Sequence, residues 1–307
     1  MLRRLGGGVR MWGAAWRGML GRVAPGCGYC GCVHSGLWRR MRGRGSGVRM
    51  QGARYCRAEC LELAAREALS RTLPESRIVS RAAHRIPLGL LLLSRQQLTA
   101  EQLRTALVAQ REAGHGKIGA WLQALGYVSE QQVTAALARQ WSCPLLRSGE
   151  ATILTGRMNV IPALLLEAFQ MLPVDLVEAT GTLLIAFSEG IDYSVLYAIE
   201  QMLGYRTEAC LVCPSTLQRT LQALLRQRQP GDIVFDRTED LGECARIIVN
   251  YCAKVHAEEV RLARCGEHLW IRLERSRADA VNLVLRAPEE SARRMAVASA
   301  AVVAHAV

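Results

Sequence analysis

The sequence predicts an α/β protein made of small modules: a tandem helix-turn-helix repeat domain, a small α/β sandwich and a truncated α+β C-terminal module. Three observations support this fold class. Residues 87–110 recur as residues 117–140, at an offset of 30. Residues 171–227 alternate between strand-like and helix-like segments, and residues 243–286 read as one helix followed by strands. With 307 residues, half of them hydrophobic, the chain is long enough to bury several modest cores.

Positive charge and glycine are concentrated at the start of the chain. Residues 1–50 contain ten Arg and no Lys, Asp or Glu, and therefore supply +10 of the formal net charge of +12. A Gly/Arg-rich stretch without apolar periodicity cannot bury enough surface to offset its chain entropy, so residues 1–55 are predicted to be a disordered leader. Three interpretations of the leader remain open: a tail that binds nucleic acid or a membrane surface, a targeting segment, or residues that precede a natural start at Met50.

The sequence contains eleven cysteines. Two clusters have residue types that bind zinc: Cys27, Cys30, Cys32 and His34 in the leader, and the pair Cys56 and Cys60. The first cluster has no flanking predicted structure, and the second has the i, i+4 spacing of an ordinary helix. We therefore expect free thiols and no metal site.

The repeat is predicted over residues 83–145, after a short helical segment at 56–82. Each copy reads as helix, turn, helix, because Thr99 and Ser129 are good N-caps for the second helix of their copy. Gln102 and Gln132 stand three residues later, which predicts a capping box in both copies.

The turn inside each copy is predicted to differ. Gly126 fits the C-terminal end of the first helix in copy two, since glycine adopts the left-handed backbone found there. Copy one has Gln96 at the equivalent position. Its turn is therefore expected to be made differently.

Residues 146–227 predict an α/β subdomain. "MLPVDLVEA" and "GTLLIAFSE" read as strands joined by a turn at Thr180–Gly181, and Asp192 caps the following helix. The rest of the chain divides into a linker at 228–240, an α+β piece at 241–286 and a tail at 287–307.

The repeat resembles the MshEN-type N-terminal domain of type II secretion and type IV pilus assembly ATPases. That family carries a pattern close to R-L-G-x-x-L-x-x-x-G-x-[IV]-[ST]-x-x-x-L-x-x-x-L-x-x-Q twice. The resemblance covers roughly residues 83–286, and the stretch 241–286 is similar to the segment that opens the ATPase core. The core itself is not expected in this chain, because no G-x-x-x-x-G-K-[ST] loop occurs in the sequence.

The resemblance implies a ligand, cyclic di-GMP, with one motif for each half of the dinucleotide. The positions it assigns to the ligand are Leu88, Gly89, Gln110, Lys117, Ile118, Gly119, Gly126 and Gln140. Arg85 is added as a candidate substitute for the Arg that the family has at the position of Pro87. A cation can contact a phosphate, glycine allows close approach of the backbone, and a glutamine amide can hydrogen-bond a guanine edge.

The first copy departs from the family pattern. Pro87 stands where the family has Arg, and Arg85 lies two residues earlier. The spacer between copies, residues 111–116, is one residue longer than usual. These departures favour the alternative that the repeats form a purely structural protein-protein interaction module without a nucleotide.

We therefore expect a non-catalytic regulatory or docking module with no cofactor and no catalytic residues. The resemblance implies a cytoplasmic location and a secretion or pilus motor component as partner. Nucleic acid would be bound only through the basic leader. No run of apolar residues is long enough for a transmembrane helix.

Overall fold

The computed structural model describes residues 27–30, 47–72, 85–146, 160–227, 231–276 and 279–287. No helix in these ranges is long and apolar enough to cross a membrane. The chain divides into two compact units. One contains Met1–Pro74, Val234–Leu262 and Trp270–Val307, and the other contains Glu75–Ile233 and Ala263–Leu269.

A six-stranded sheet with the order β2-β1-β7-β8-β9-β6 has most of its residues in the first unit. Its strands are β1 (Val48–Met50), β2 (Ala53–Tyr55), β6 (Asp232–Phe235), β7 (Glu259–Cys265), β8 (His268–Ser276) and β9 (Asp279–Arg286). β1 and β2 form an antiparallel hairpin around Gln51 and Gly52, which both have positive φ. Positive φ at both central residues is the geometry that two-residue hairpins favour. β1 also pairs with β7 in parallel.

Two helices of the first unit, α1 (Ala58–Thr72) and α9 (Leu241–Val255), pack against each other. α9 begins at its N-cap Asp240, whose side chain accepts a hydrogen bond from the Glu243 amide at 2.6 Å. In the sheet, the buried Trp270 indole N–H donates to Asn282 Oδ1 at 3.1 Å. This bond satisfies two polar groups that would otherwise be costly to bury.

The prediction of a disordered leader over 1–55 is wrong where the structure describes it. β1 and β2 lie within this range, Met50 is 1% exposed, and Cys27 is buried. Sequence patterns missed these strands because each has only three residues, too few to show a period. The remainder of the leader, including Cys32 and His34, lies outside the described residues, as does the tail from residue 288.

The predicted linker at 228–240 also contains structure. β6 occupies Asp232–Phe235 and forms the edge of the six-stranded sheet next to β9. The Asp232 carboxylate accepts a hydrogen bond at 2.9 Å from the amide of Ala163, in the first turn of α6 (Ala163–Ala168). The segment 228–240 is polar as a whole, but it contains the apolar run 233–235, which pairs with a neighbouring strand.

Four helices of the second unit cover the predicted repeat: α2 (Leu88–Ser94), α3 (Ala100–Ala113), α4 (Ile118–Ala124) and α5 (Glu130–Trp141). α2 packs on α5, α3 packs on α4, and α2 also touches α4. The first helix of each copy therefore packs on the second helix of the other. Their shared core consists of Leu88, Leu92, Leu98, Ala106, Leu122, Val128, Val133 and Ala136.

Both predicted capping boxes are present. The Thr99 hydroxyl accepts from the Gln102 amide, and the Gln102 side chain accepts from the Thr99 amide. Ser129 and Gln132 make the same two bonds at the start of α5. The sequence predicts these caps correctly because every contact in a capping box is local.

The prediction that copy one makes its turn differently is wrong. Gln96 has φ +58° and Gly126 has φ +71°, so both adopt the left-handed backbone. The Gln96 amide donates to Leu93 O at 2.9 Å, and the Gly126 amide donates to Gln123 O at the same distance. The turn is therefore retained in copy one, with a glutamine held in a conformation that favours glycine.

The α/β part of the second unit contains a three-stranded sheet of β3 (Met171–Val177), β4 (Thr182–Phe187) and β5 (Arg206–Leu211). β3 and β4 are antiparallel, and β4 and β5 are parallel. The parallel pair needs a crossover, which α7 (Tyr193–Leu203) supplies, followed after β5 by α8 (Pro214–Gln227). Asp192 caps α7 as predicted, and Gly181 in the β3–β4 turn has φ +64°.

Candidate functional site

The predicted ligand residues are distributed over the starts and ends of the four helices. Leu88, Gly89 and Gly119 are buried, whereas Lys117 and Gly126 are exposed. Arg85, Gln110, Ile118 and Gln140 are partly buried. The contact between α2 and α4 brings the two motif starts into one neighbourhood.

The two glutamines make reciprocal hydrogen bonds between the copies. Gln110 Nε2 donates to Gly116 O at 2.7 Å, and Gln140 Nε2 donates to Ile86 O at 2.6 Å. Gly116 and Ile86 are 30 residues apart, as are the two glutamines, so the bonds are equivalent in the repeat. Each glutamine thereby ties the end of one copy to the residue two before the first helix of the other copy.

The glycines shared by the two copies permit close packing of helices. A Cβ at Gly89 would lie 2.8 Å from Leu103 Cδ1, in the second helix of the same copy. A Cβ at Gly119 would lie 3.1 Å from both Leu88 Cδ2 and Val133 Cγ1. Core packing thus explains both glycines without a ligand.

The second motif begins with a cation in a surface ion pair. Lys117 is the N-cap residue of α4, and its Nζ lies 2.5 Å from Glu189 Oε2. The two side chains are 72% and 61% exposed, so solvent screens their attraction. An anionic ligand would therefore compete with Glu189 for Lys117 at little cost.

The first motif begins with proline. Pro87 is the N-cap of α2, with φ −55° and ψ 139°, close to the backbone of Lys117 at φ −90° and ψ 145°. The backbone is thus similar in both copies, but only copy two has a charged side chain at this position. The predicted substitute, Arg85, has its Cζ 3.2 Å from the centroid of the Trp141 ring, a cation–π contact.

A cavity of about 400 Å³ adjoins the end of the second motif. Its wall includes Trp141 from the end of α5, Tyr193 and Glu200 from α7, and Thr207 from β5. Glu200 Oε1 accepts hydrogen bonds from the Thr207 amide at 2.7 Å and hydroxyl at 3.1 Å. The sequence does not reveal this cavity, because its wall is formed by elements that are distant in the chain. Trp141, directly after the motif residue Gln140, was the available indication of an aromatic wall at this position.

Several thiols outside the motifs are buried. Burial raises the pKa of the Cys210, Cys252 and Cys265 thiols to about 12. The thiolate is the nucleophilic form, so these three cysteines are unreactive at neutral pH. They serve as small apolar core residues.

Comparison with known proteins gives matches only among solved structures. No family model matches the chain, and no curated protein matches it. A structure of MshE with cdg is 27% identical, has a TM-score of 0.40, and is matched over 46% of this chain and 99% of its own length. A structure of the N-terminal domain of XpsE is 23% identical, has a TM-score of 0.35, and is matched over 46% of this chain and 94% of its own length.

A second crystal form of the XpsE N-terminal domain is 22% identical, with a TM-score of 0.28. Because all three TM-scores lie below 0.5, the function of this chain has to be inferred from its own contacts.

Proposed function

We propose that this chain is a non-catalytic regulatory or docking module of the MshEN type, and that its tandem helix-turn-helix repeat binds cyclic di-GMP. The observation that carries the proposal is the reciprocal pair of Gln110 and Gln140 bonds. The two bonds join positions that are equivalent in the repeat, since both the donors and the acceptors are 30 residues apart. A ligand with two equivalent halves fits a protein site with two equivalent motifs.

The chemistry of the motif residues suits such a ligand. Lys117 would exchange its exposed contact with Glu189 for a ligand phosphate. Arg85 would supply positive charge near the first motif, in place of the Arg that the family pattern has at the position of Pro87. The side-chain amide of glutamine offers two N–H donors and one carbonyl acceptor. Gln110 and Gln140 can therefore bond a base edge while keeping their backbone bonds.

The second candidate is a structural interaction module without a nucleotide. Two observations favour it: Gly89 and Gly119 are explained by close packing against core side chains, and the first copy has Pro87 where the second has the cation Lys117. This candidate predicts no binding of a cyclic dinucleotide and no effect of changes at Lys117 on binding. Under either candidate, a secretion or pilus motor component is the proposed partner, and the proposed location is the cytoplasm.

Isothermal titration of the full chain with cyclic di-GMP distinguishes the nucleotide-binding module from the structural module. The same titration of the Lys117→Ala variant tests the role of Lys117. Loss of a charge-assisted contact to phosphate should weaken binding by about 10- to 100-fold, since such bonds contribute roughly 1.5–3 kcal/mol. Lys254→Ala is the matched control, because Lys254 is the other lysine of the sequence and packs on Tyr251. Equal affinity of the Lys117→Ala variant and the unaltered chain would show that Lys117 does not contact the ligand.

A further inference from the structure

Four cysteines from two separate stretches of the chain come together in the first unit. Cys27 and Cys30 flank a turn, Cys56 follows β2, and Cys60 lies in the first turn of α1. Their Sγ atoms all lie within 4.8 Å of one another. The sequence shows C-x₂-C and C-x₃-C pairs but not that they meet, because 25 residues separate Cys30 from Cys56.

Backbone hydrogen bonds hold the two stretches in place. Cys27 forms a parallel bridge with Arg54 in β2, and the Gly28 amide donates to Arg54 O at 2.9 Å. The turn at 27–30 is thus fixed beside the end of β2, where Cys56 lies. Cys56 lies two residues before α1 and Cys60 lies in its first turn, and their Sγ atoms are 4.0 Å apart.

The sulfur spacing fits a tetrahedral metal site. Cys30 Sγ lies 3.5 Å from Cys56 Sγ, and Cys56 Sγ lies 4.0 Å from Cys60 Sγ. Zn–S bonds of about 2.3 Å in a tetrahedron place the sulfurs about 3.8 Å apart. The sulfurs are too far apart for disulfide bonds, which need about 2.05 Å, and all four cysteines are free thiols.

The surroundings of Cys27 also suit a metal-bound thiolate. The backbone amides of Tyr29, Cys30 and Cys56 lie next to its Sγ and favour a negative charge there. Amide donors around a ligating sulfur orient it and stabilise its negative charge. Cys27 is 4% and Cys60 8% exposed, so solvent has little access to that side of the cluster.

We propose that Cys27, Cys30, Cys56 and Cys60 bind one Zn²⁺ ion in a structural site. Four thiolates fill the tetrahedral coordination of zinc and leave no position open for a substrate, so the site is structural and not catalytic. Each thiol loses its proton on binding, and no electron is transferred. The bound ion would join the turn at 27–30 to the end of β2 and the start of α1.

Metal analysis of the purified full chain tests this proposal. We expect about one zinc per chain, as for other closed four-cysteine sites, and a large loss of zinc in Cys56→Ser. Cys143→Ser is the matched control, because Cys143 is a partly buried free thiol outside the cluster, and it should keep its zinc. Equal zinc contents in Cys56→Ser and Cys143→Ser would overturn the proposal.

A second measurement does not depend on the folding of a variant. Co²⁺ added to the unaltered chain after zinc removal should give the intense visible absorption of a tetrahedral thiolate site, and added Zn²⁺ should abolish it. The weak absorption of octahedral Co²⁺ would overturn the proposal. So would iron in place of zinc, since four thiolates also suit iron. A chain that is purified metal-free with a mass lower by two hydrogens, which indicates a disulfide, would overturn it as well.

Discussion

At the scale of single residues, Gly119 is a position where the absence of a Cβ allows close packing of the core, whether or not a ligand binds. Helical glycine is ordinarily less favourable than alanine by about 1 kcal/mol. Here an added Cβ would meet the buried Leu88 and Val133 side chains at 3.1 Å. Val133 is β-branched and stiff about χ1, so it cannot turn aside easily.

Gly119→Ala should therefore destabilise the protein in spite of its better helix propensity. Overpacking typically costs about 1–3 kcal/mol, so a net loss of about 1 kcal/mol is expected. The urea concentration at the midpoint of unfolding, compared between the variant and the unaltered chain, measures this loss of stability. A higher midpoint in the variant would show that the core can expand and that packing does not require glycine at this position.

The Gln140 bond could not be predicted from the sequence, although the glutamine itself was picked out through the resemblance. Gln140 and its acceptor Ile86 O are 54 residues apart. Their meeting depends on how α2 packs on α5, a tertiary contact that no local pattern specifies. The capping boxes, by contrast, could be predicted because Thr99 and Gln102 are three residues apart.

At the scale of elements, the turns after α2 and α4 make a matched pair. Both have a left-handed residue, Gln96 in one and Gly126 in the other. Sequence reasoning treated glycine as required and so predicted a different turn in copy one. The same two hydrogen bonds follow both short helices, to Leu93 O and Leu92 O in copy one and to Gln123 O and Leu122 O in copy two. The same local bonds therefore form whether the left-handed residue is glutamine or glycine.

Exchanging glutamine and glycine at these two positions measures the free-energy cost of the left-handed glutamine. Gln96→Gly should stabilise the protein by about 1 kcal/mol, because the left-handed backbone costs a non-glycine residue roughly 1–2 kcal/mol and glycine loses part of the gain to chain entropy. Gly126→Gln should destabilise it by a similar amount. Thermal unfolding of the two variants provides the measurement. A Gln96→Gly variant with a lower melting temperature would indicate that the glutamine side chain stabilises this turn.

At the scale of the whole molecule, residues before Met50 contribute to the described fold. The Arg49 amide donates to Glu258 O at 2.8 Å, and Val48 pairs with Tyr55. Composition predicted a disordered leader because it averages over fifty residues, whereas these contacts involve only a few of them. Residues 48 and 49 are therefore expected to contribute to the stability of the protein.

A chain that begins at Met50 should be less stable than the full chain. It lacks Val48, Arg49 and the segment 27–30, so it loses several backbone hydrogen bonds of about 1 kcal/mol each. We expect the free energy of unfolding to fall by at least about 2 kcal/mol, measured by urea denaturation. Equal unfolding curves for the two chains would show that the residues before Met50 do not stabilise the fold.

The central claim concerns the paired motifs, and calorimetric titration of the full, unaltered chain with cyclic di-GMP tests it most directly. Two motifs that share one symmetric ligand predict saturation at one cyclic di-GMP per chain, with cyclic di-AMP binding more weakly because adenine presents a different edge to Gln110 and Gln140. No heat of binding at about 100 μM, where even a weak site with a free energy near −5.5 kcal/mol would begin to fill, would contradict the claim.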